Sequence, residues 1–385
     1  MREVFERRAA DLQRHIAGTS IDLLLVTDPV SIYFLAGYWG YVDIEFGRPT
    51  ILCIPKTGEF TLITPKLESE MARAMTWIED LRTYADGVGG EWRDPLAAVI
   101  GGANHVTCGV EVTHAPGMVT EYLRADLPSV NIVDGSAILG ALHTVKTPDE
   151  IELMRKAGLV AVAMGEAARD AIAVDVPEYE VALAILAGGT RKAAELMAGE
   201  DPNSFDSPMI YNLQPLQSGH YTSMPHRRAT MRKIRMGEPV FICFCGIANF
   251  KHFKPGYDRQ YFLGSVSDEN ARIYEIAVAG QQAAIAAMGP GVSAEDVHFA
   301  AEQPYLQAGI NQPSHRTGRA IGYSVNELPQ LKAGDKTILQ PGMMFAVGGD
   351  VTLPGKCCGR VSDTILITET GAQCLTESPR ELLIL

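Results

Sequence analysis

The sequence predicts a two-domain protein, with an α/β domain over residues 1–142 and a larger α+β domain over residues 143–385. The length of 385 residues exceeds that of one ordinary domain. Strand-like and helix-like segments alternate up to about residue 140, whereas beyond it long helices are grouped between runs of strands. The composition, 46% hydrophobic and 21% charged, indicates a globular chain with a large core.

The first domain shows helical and strand periodicities in alternation. An aspartate–proline pair marks a helix start, and two apolar runs flank a Lys-Thr-Gly turn, which favours a β-hairpin. The predicted elements are helices at 2–17 and 28–38, strands at 21–27, 106–111 and 130–136, and the hairpin formed by "TILCIP" and "EFTLIT".

The second domain begins at a Thr-Pro-Asp-Glu sequence, which is typical of a helix N-terminus. A long amphipathic helix follows it, and buried strands are indicated by apolar runs. The predicted elements are helices within 143–173 and at about 177–199, 267–288 and 293–309, strands at 238–248 and 261–264, and strands in "MMFAVGGDV" and "RVSDTILIT".

Charge and composition exclude several classes of partner. The net charge of −13 and the pI near 5.2 argue against nucleic acid and against an anionic membrane surface. The N-terminus is charged and lacks the apolar core of a secretory signal, and the apolar runs are too short to span a membrane. Seven cysteines without a CxxC pair predict reduced thiols in a cytoplasmic protein.

Six stretches in a fixed order carry a family resemblance. They are "LLLVTDPVSIYFLAGY" (23–38), "VKTPDEIELMRKAG" (145–158), "MPHRRATMRKIRMGEPVFI" (224–242), "HRTGRAIGYSVNELP" (315–329), "ILQPGMMFAV" (338–347) and "RVSDTILITETG" (360–371). Together they resemble the pita-bread superfamily, which contains aminopeptidase P, prolidase and creatinase. The resemblance covers nearly the whole chain, and it implies a creatinase-type N-terminal domain and a pita-bread catalytic domain.

Peptidases of this superfamily bind two metal ions through two aspartates, one histidine and two glutamates. The resemblance places those ligands near Cys243–Cys245 and at Gly256, Arg319, Gly348 and Ser362. The permanent charge of Arg319, inside the Gly-rich stretch "HRTGRAIG", repels a metal cation. These replacements predict a protein that binds neither a metal nor another cofactor.

Four cysteines fall on segments that approach the position of those metals: Cys243, Cys245, Cys357 and Cys358. Their spacing does not match a zinc pattern, and strand cysteines commonly fill core volume. The sequence therefore predicts structural cysteines, with a soft-metal site and a nucleophilic thiol as alternatives.

The superfamily members creatinase and ectoine hydrolase work without metal, and creatinase implies which residues act. His226 matches its catalytic histidine, and an imidazole can take a proton from water and return it to a leaving nitrogen. Asp258 stands where creatinase has a glutamate that holds the guanidinium of the substrate. The alternatives are a structural histidine and a solvated turn aspartate.

Substrate-binding residues follow from the same resemblance. Phe46 and Arg48 match creatinase residues that reach into the neighbouring subunit's site, which implies a homodimer; a surface ion pair is the alternative for Arg48. Arg319 is predicted to bind the substrate carboxylate. Asp350 is the candidate replacement for a second creatinase glutamate, and Tyr257 is a candidate for polar contacts or for a structural role.

These residues together predict a metal-independent, creatinase-like hydrolase. Its expected reaction is cleavage of a non-peptide C–N bond in a small zwitterionic or carboxylated amidine, guanidine or cyclic amide. Two alternatives stay open, namely a metal-dependent Xaa-Pro-type peptidase with altered ligands and a catalytically inactive binding protein of the same fold. Metal analysis of the purified protein separates the first alternative from the main prediction.

Overall fold

The computed structural model of the chain describes residues 2–87, 89–101, 106–211, 215–310 and 315–385. The chain forms two compact units, Met1–His143 and Thr144–Leu385. Within the described residues, no helix is both long and apolar enough to cross a membrane.

The first unit is an α/β unit whose described strands form one mixed sheet in the order β4-β3-β2-β1-β5-β6. Strands β1, β2 and β3 pair antiparallel, whereas the β3–β4, β1–β5 and β5–β6 pairs are parallel. The strands are β1 (Leu23–Val26), β2 (Ile51–Pro55), β3 (Thr61–Pro65), β4 (Asp80–Tyr84), β5 (Val106–Val110) and β6 (Val130–Asp134). The helices are α1 (Arg2–Ala17), α2 (Pro29–Ala36), α3 (Val42–Phe46), α4 (Ser69–Met75), α5 (Arg93–Ile100), α6 (Gly117–Ala125) and α7 (Ser136–Thr144).

The start of α2 shows how local sequence builds this unit. The Asp28 carboxylate accepts a hydrogen bond from the backbone N–H of Ser31 at 2.9 Å, and Pro29 occupies the first turn. Gly37 ends the helix at a φ of 72°, a conformation that glycine adopts without strain. The predicted hairpin is also present, as β2 and β3.

The second unit is an α+β unit built on a nine-stranded sheet within the described residues, in the order β11-β10-β12-β13-β9-β8-β7, with β14 on β13 and β15 on β9. The strands are β7 (Leu216–Ser218), β8 (Pro239–Cys243), β9 (Asp258–Phe262), β10 (Gly318–Ala320), β11 (Glu327–Leu331), β12 (Met344–Leu353), β13 (Cys357–Thr368), β14 (Gly371–Cys374) and β15 (Leu383–Ile384). The helices are α8 (Pro148–Ala171), α9 (Glu178–Leu196), α10 (Asp268–Ala287) and α11 (Ala294–Gln307).

Helix α10 lies directly on the central strands of this sheet. A Cβ atom added at Gly349 of β12 would overlap the carbonyl oxygen of Ala277, and one added at Gly359 of β13 would lie 2.6 Å from the carbonyl oxygen of Ile273. Glycine therefore lets the backbones of helix and strands touch. The apolar cluster beside this contact includes Ala284, Val297, Phe345, Val347 and Ile365.

Two differences from the sequence prediction affect the site. The strand predicted at 238–248 ends at Cys243, because the chain turns at Phe244 and Gly246 takes a φ of 80°. The Gly-rich stretch around Arg319, for which no strand was predicted, forms strand β10. A Cβ at Gly318 would overlap the carbonyl oxygen of Ala346, so this glycine permits close strand pairing rather than a turn.

Candidate active site

A cleft of about 430 Å³ opens on the sheet of the second unit. Its polar lining comes from the ends and middles of β8, β9, β10, β12 and β13, from α11, and from the segment before β8. The residues with ionisable side chains that line it are His226, Cys243, Cys245, Asp258, His298, Glu302, Tyr305, His315, Arg316, Arg319, Asp350 and Arg360.

The floor of the cleft is a row of residues that face each other across four strands. Cys243 of β8 lies opposite Asp258 of β9, Asp258 lies opposite Ser362 of β13, and Ser362 lies opposite Gly348 of β12. Directly opposed residues of antiparallel strands project to the same face of a sheet. The row thus presents a thiol and a carboxylate, beside a hydroxyl and a position without a side chain.

Cys245 joins this row from the turn after β8. The backbone N–H of Phe244 donates to the carbonyl oxygen of Tyr257 at 2.9 Å, so the chain stays paired for one more residue. The turn that begins at Phe244 then brings the side chain of Cys245 to those of Cys243 and Asp258. The two sulfurs and one oxygen of Asp258 lie within 4.8 Å of one another, and the Cys245 sulfur is 3.6 Å from Asp258 Oδ1.

The two thiols differ in acidity. A hydrogen bond with Cys243 lowers the pKa of Cys245, and the charge of the Arg319 guanidinium acts in the same direction. That hydrogen bond raises the pKa of Cys243, together with burial and the nearby Asp258 carboxylate. Of the two thiols, Cys245 is therefore the more acidic.

Guanidinium groups form a wall of the cleft beside this floor. Arg360 pairs with Asp350 at 3.3 Å, while Arg316 donates to Asn326 Oδ1 at 3.1 Å and Arg319 donates to the carbonyl oxygen of Val325. In the part of the chain that the structure describes, neither Arg316 nor Arg319 pairs with a carboxylate. Burial and the charge of Arg319 lower the pKa of Arg316, which indicates a positive potential on this wall.

The side chain of His226 is exposed at the edge of the cleft, on the segment before β8. A second histidine, His298 of α11, also lines the cleft, and it is buried. Its Nδ1 lies 2.8 Å from Thr317 Oγ1, and its Nε2 lies 3.4 Å from Glu302 Oε1. His298 therefore holds two cleft residues, whereas His226 is accessible to a bound molecule.

The remaining sequence-predicted residues lie elsewhere. Tyr257 is 1% exposed, its hydroxyl is 2.9 Å from Ser378 Oγ, and the Arg259 guanidinium covers its ring. Phe46 is exposed in the first unit, and Arg48 there donates to Asp86 at 2.6 Å. Substrate contacts by these three residues stay predictions.

Sequence reasoning did not single out Arg316 or Arg360 as site residues. Arg316 stands in the quoted stretch "HRTGRAIG", three residues before Arg319, and Arg360 stands two residues before Ser362 on β13. Residues two apart on a strand project to the same face, so the spacing of Arg360 from Ser362 is the signal that identifies Arg360.

A pair of hard metal ions, as the superfamily binds them, does not fit the residues at the matching positions. A Cβ at Gly256 would overlap the Cβ of Ala346, so that position holds no carboxylate. Gly348 and Ser362 supply no charge, and Arg319 supplies the wrong sign. The donors that do cluster are two thiols and one carboxylate.

Fold and cleft together define a pita-bread protein with a creatinase-type N-terminal domain. Residues 152–369 match the model of metallopeptidase family M24, and residues 8–144 match the creatinase/prolidase N-terminal domain. The chain belongs to metallopeptidase family M24, as the sequence resemblance predicted.

Named relatives extend over almost the full chain. Probable dipeptidase PepE of Mycobacterium tuberculosis is 29% identical over 99% of this chain and 97% of its own. Agropine synthesis cyclase of Rhizobium rhizogenes is 28% identical over 97% of this chain and 96% of its own. The Xaa-Pro dipeptidase of Pyrococcus furiosus is 27% identical over 98% of this chain and 100% of its own. The crystal structure of the prolidase from Pyrococcus horikoshii matches with a TM-score of 0.83 at 23% identity, covering 98% of this chain and 100% of that one.

The prediction of a metal-independent, creatinase-like amidinohydrolase that acts on a non-peptide C–N bond is wrong. The family is one of metallopeptidases, and the relatives include dipeptidases, which favours the peptidase alternative. The prediction took replacement of five hard ligands as loss of metal chemistry. It gave too little weight to other donors on the same sheet face, where Cys243, Cys245 and Asp258 converge.

Proposed function

We propose that the chain is a peptidase of the dipeptidase type, which binds a dipeptide-sized substrate in the cleft of the second unit and hydrolyses its peptide bond. Its membership of the metallopeptidase family and its similarity to relatives named as dipeptidases support this function. The cleft volume of about 430 Å³ lies within the range of about 300–1,000 Å³ that is common for small-molecule sites.

The observation that carries the proposal is that cationic and anionic side chains line the same cleft. Arg316 and Arg319 form a cationic wall, and Asp258 lies on the floor. A free dipeptide carries a carboxylate at one end and an ammonium at the other, so the wall binds the carboxylate and Asp258 binds the ammonium or the amide N–H. This arrangement selects substrates with both termini free.

His226 supplies the acid–base chemistry. An imidazole can take a proton from the water that attacks the peptide carbonyl carbon and return it to the nitrogen that leaves when the peptide bond breaks. Its exposed position at the cleft edge allows this contact with a bound substrate. No step of the reaction is assigned to a pair of hard ions, because the residues present do not fit them.

A second candidate is a protein that binds dipeptides without hydrolysing them. The replacement of the hard-ligand positions by Gly256, Arg319, Gly348 and Ser362 favours it. Such a protein would still bind a dipeptide through the cationic wall and Asp258, because these charges act on the substrate termini whether or not the peptide bond is cleaved.

The test is a panel of dipeptides, including Xaa-Pro members, each compared with its C-terminal amide. The full-length purified chain is assayed with added Zn²⁺, Co²⁺ or Mn²⁺, and products are identified by mass spectrometry. We expect hydrolysis of free dipeptides, a rise in melting temperature with slowly cleaved ones, and weaker effects with the amides.

Three results decide against the proposal. A thermal shift without cleavage favours the binding protein. A product lighter than the substrate by one water, rather than hydrolysed, favours intramolecular acyl transfer, which a cyclase-named relative makes a specific concern. Neither shift nor product with any dipeptide rejects the peptide substrate class itself.

Two further features belong to this proposal. A homodimer is proposed from the predicted reach of Phe46 and Arg48 to a neighbouring site, and sedimentation of the intact chain tests it. A cytoplasmic location is supported by the cysteines, since all seven lie in described segments and none forms a disulfide.

A further inference from the structure

Cys243, Cys245 and Asp258 form a cluster that the family's ligand set does not include. Their donor atoms lie within 4.8 Å of one another on the floor of the cleft. Asp258 is buried, and the two cysteines are half-buried, so the cluster faces the cavity from a fixed sheet. We propose that these three residues bind one thiophilic divalent ion, of which zinc is the best match.

The donor chemistry favours zinc. Thiolates are soft ligands that select zinc over magnesium, calcium or manganese, and a carboxylate completes mixed sets of this kind. A tetrahedral zinc ion, with bonds of about 2.0–2.3 Å, holds its donors about 3.5 Å apart. The distance of 3.6 Å between the Cys245 sulfur and Asp258 Oδ1 is close to that spacing.

Backbone geometry arranges the three donors before any ion binds. Cys243 and Asp258 are cross-strand partners, and the turn after β8 holds the Cys245 sulfur 3.6 Å from Asp258 Oδ1. The neighbours in the row, Ser362 and Gly348, are small and leave space above the donors. Three protein ligands with open space beside them resemble a catalytic zinc site more than a closed structural one.

Charge balance explains why one ion fits here and two do not. Two thiolates and one carboxylate carry three negative charges, so one divalent ion leaves the site with a single negative charge. Arg319, whose charge acts on Cys245, offsets that remainder. A second divalent ion would reverse the sign of the site and would be repelled by Arg319. The arginine that excludes a two-metal centre is thus compatible with a single thiolate-bound ion.

A catalytic role for this metal ion rests on the proposed function. The metal site itself is tested by binding alone, without an activity assay. The intact, reduced and metal-free chain is titrated with Co²⁺ under nitrogen. We expect one equivalent to bind and to give thiolate-to-cobalt charge-transfer absorption with strong visible bands of a four-coordinate ion. Each thiol that ligates releases its proton to solvent, and added Zn²⁺ should remove the bands.

Variants assign the ligands. We expect C243S and C245S to lose the charge-transfer absorption, and C374S, a half-buried cysteine outside the cluster, to keep it. D258N should keep the sulfur-derived absorption with affinity lowered by about tenfold or more. It serves as the second variant if a cysteine variant fails to fold, as judged by circular dichroism.

The proposal is overturned if the reduced chain gives no thiolate-to-cobalt absorption, if the absorption survives in C245S, if the parent binds two equivalents, or if D258N binds Co²⁺ as tightly as the parent. A chain that binds one zinc yet hydrolyses none of the dipeptides would reject the proposed function and leave the metal site standing. The converse result would retain the function and reject this site.

Discussion

Arg319 has two effects in the cleft, because its guanidinium is both a neighbour of Cys245 and part of the cationic wall. Its Nε donates to the carbonyl oxygen of Val325, which fixes the head group and leaves other donors for a ligand. The sequence showed the arginine at a former ligand position. It did not show which thiol the charge would reach, since that depends on strand pairing between distant segments.

At this position we expect R319A to raise KM for free dipeptides by about 10-fold to 100-fold, because a charge-assisted hydrogen bond contributes about 1.5–3 kcal/mol. R319K should recover part of the loss, since lysine keeps the charge without the fork geometry. Steady-state kinetics with each dipeptide and its C-terminal amide provide the measurement.

The control is R191A, which removes an exposed arginine from α9. It should leave the kinetics unchanged. An R319A variant that loses as much activity on the amide as on the free dipeptide would show that Arg319 does not act on the carboxylate.

At the scale of secondary-structure elements, the junction between β5 and α2 contains a buried carboxyl group. Glu111, directly after β5, accepts a hydrogen bond from Ser31 Oγ at 2.8 Å, while its Oε2 has no partner among the described residues. Burial, assisted by the negative charge of Asp28, raises the pKa of Glu111 to about 7. Folding therefore favours the protonated form of this side chain.

The pH dependence follows from that direction. Glu111 in the unfolded chain loses its proton near pH 4, whereas the folded chain keeps it up to about pH 7, so stability falls as pH rises between these values. E111Q removes the titration, and we expect it to be more stable than the parent at pH 8, by up to about 3 kcal/mol, with no difference at pH 4.

Tryptophan fluorescence during urea unfolding measures this prediction selectively, because all three tryptophans, at 39, 77 and 92, lie in the first unit. The exposed Glu59 provides the matched variant E59Q, which should show no such pH-dependent gap. A constant stability difference between E111Q and the parent from pH 4 to pH 8 would contradict the assignment.

The long helices of the second unit were identified well from sequence, whereas the shorter helices α3 to α7 of the first unit were not predicted. The start of α8 is set by Thr147, whose side chain and that of Glu150 exchange hydrogen bonds with each other's backbone N–H groups. Such signals lie within four residues. Strands β10 and β15 were missed because they are short and their pairing is decided by partners far along the chain.

At the scale of the whole molecule, one buried carboxylate connects the sheet of the second unit to its helix and to the C-terminal segment. Asp363 of β13 accepts hydrogen bonds from Arg259 at 2.8 Å, Arg380 at 2.6 Å, Thr376 at 2.8 Å and Gln281 at 3.0 Å. Asp363 is completely buried, and Arg259 is 2% exposed. The network thus neutralises charge in the interior.

We expect D363A to destabilise the chain by about 3–5 kcal/mol, because it leaves the buried Arg259 guanidinium without its carboxylate partner. D170A breaks an exposed ion pair with Arg169 and should cost about 1 kcal/mol or less. Urea unfolding followed by circular dichroism compares the two. Equal losses in both variants would show that the Asp363 network does not stabilise the fold.

The fold was predictable at this scale, whereas the chemistry was only partly so. The six ordered stretches indicated both domains, and His226, Asp258 and Arg319 do line one cleft. The convergence of Cys243 with Cys245 and the pairing of Asp350 with Arg360 depend on register across the sheet. Residue order alone does not give that register.

Adjacent glycines on β12 explain how such a cleft can change while the architecture persists. Gly349 is confined by the backbone of α10, so replacement there would displace a helix. Gly348, one residue earlier, projects into the cleft instead, with its closest contact 3.2 Å from where a Cβ would stand. Evolution can therefore exchange one set of donors for another on the open face without loosening the covered face. The position that fixes the packing of α10, Gly349, and the position that faces the cleft, Gly348, are therefore adjacent residues.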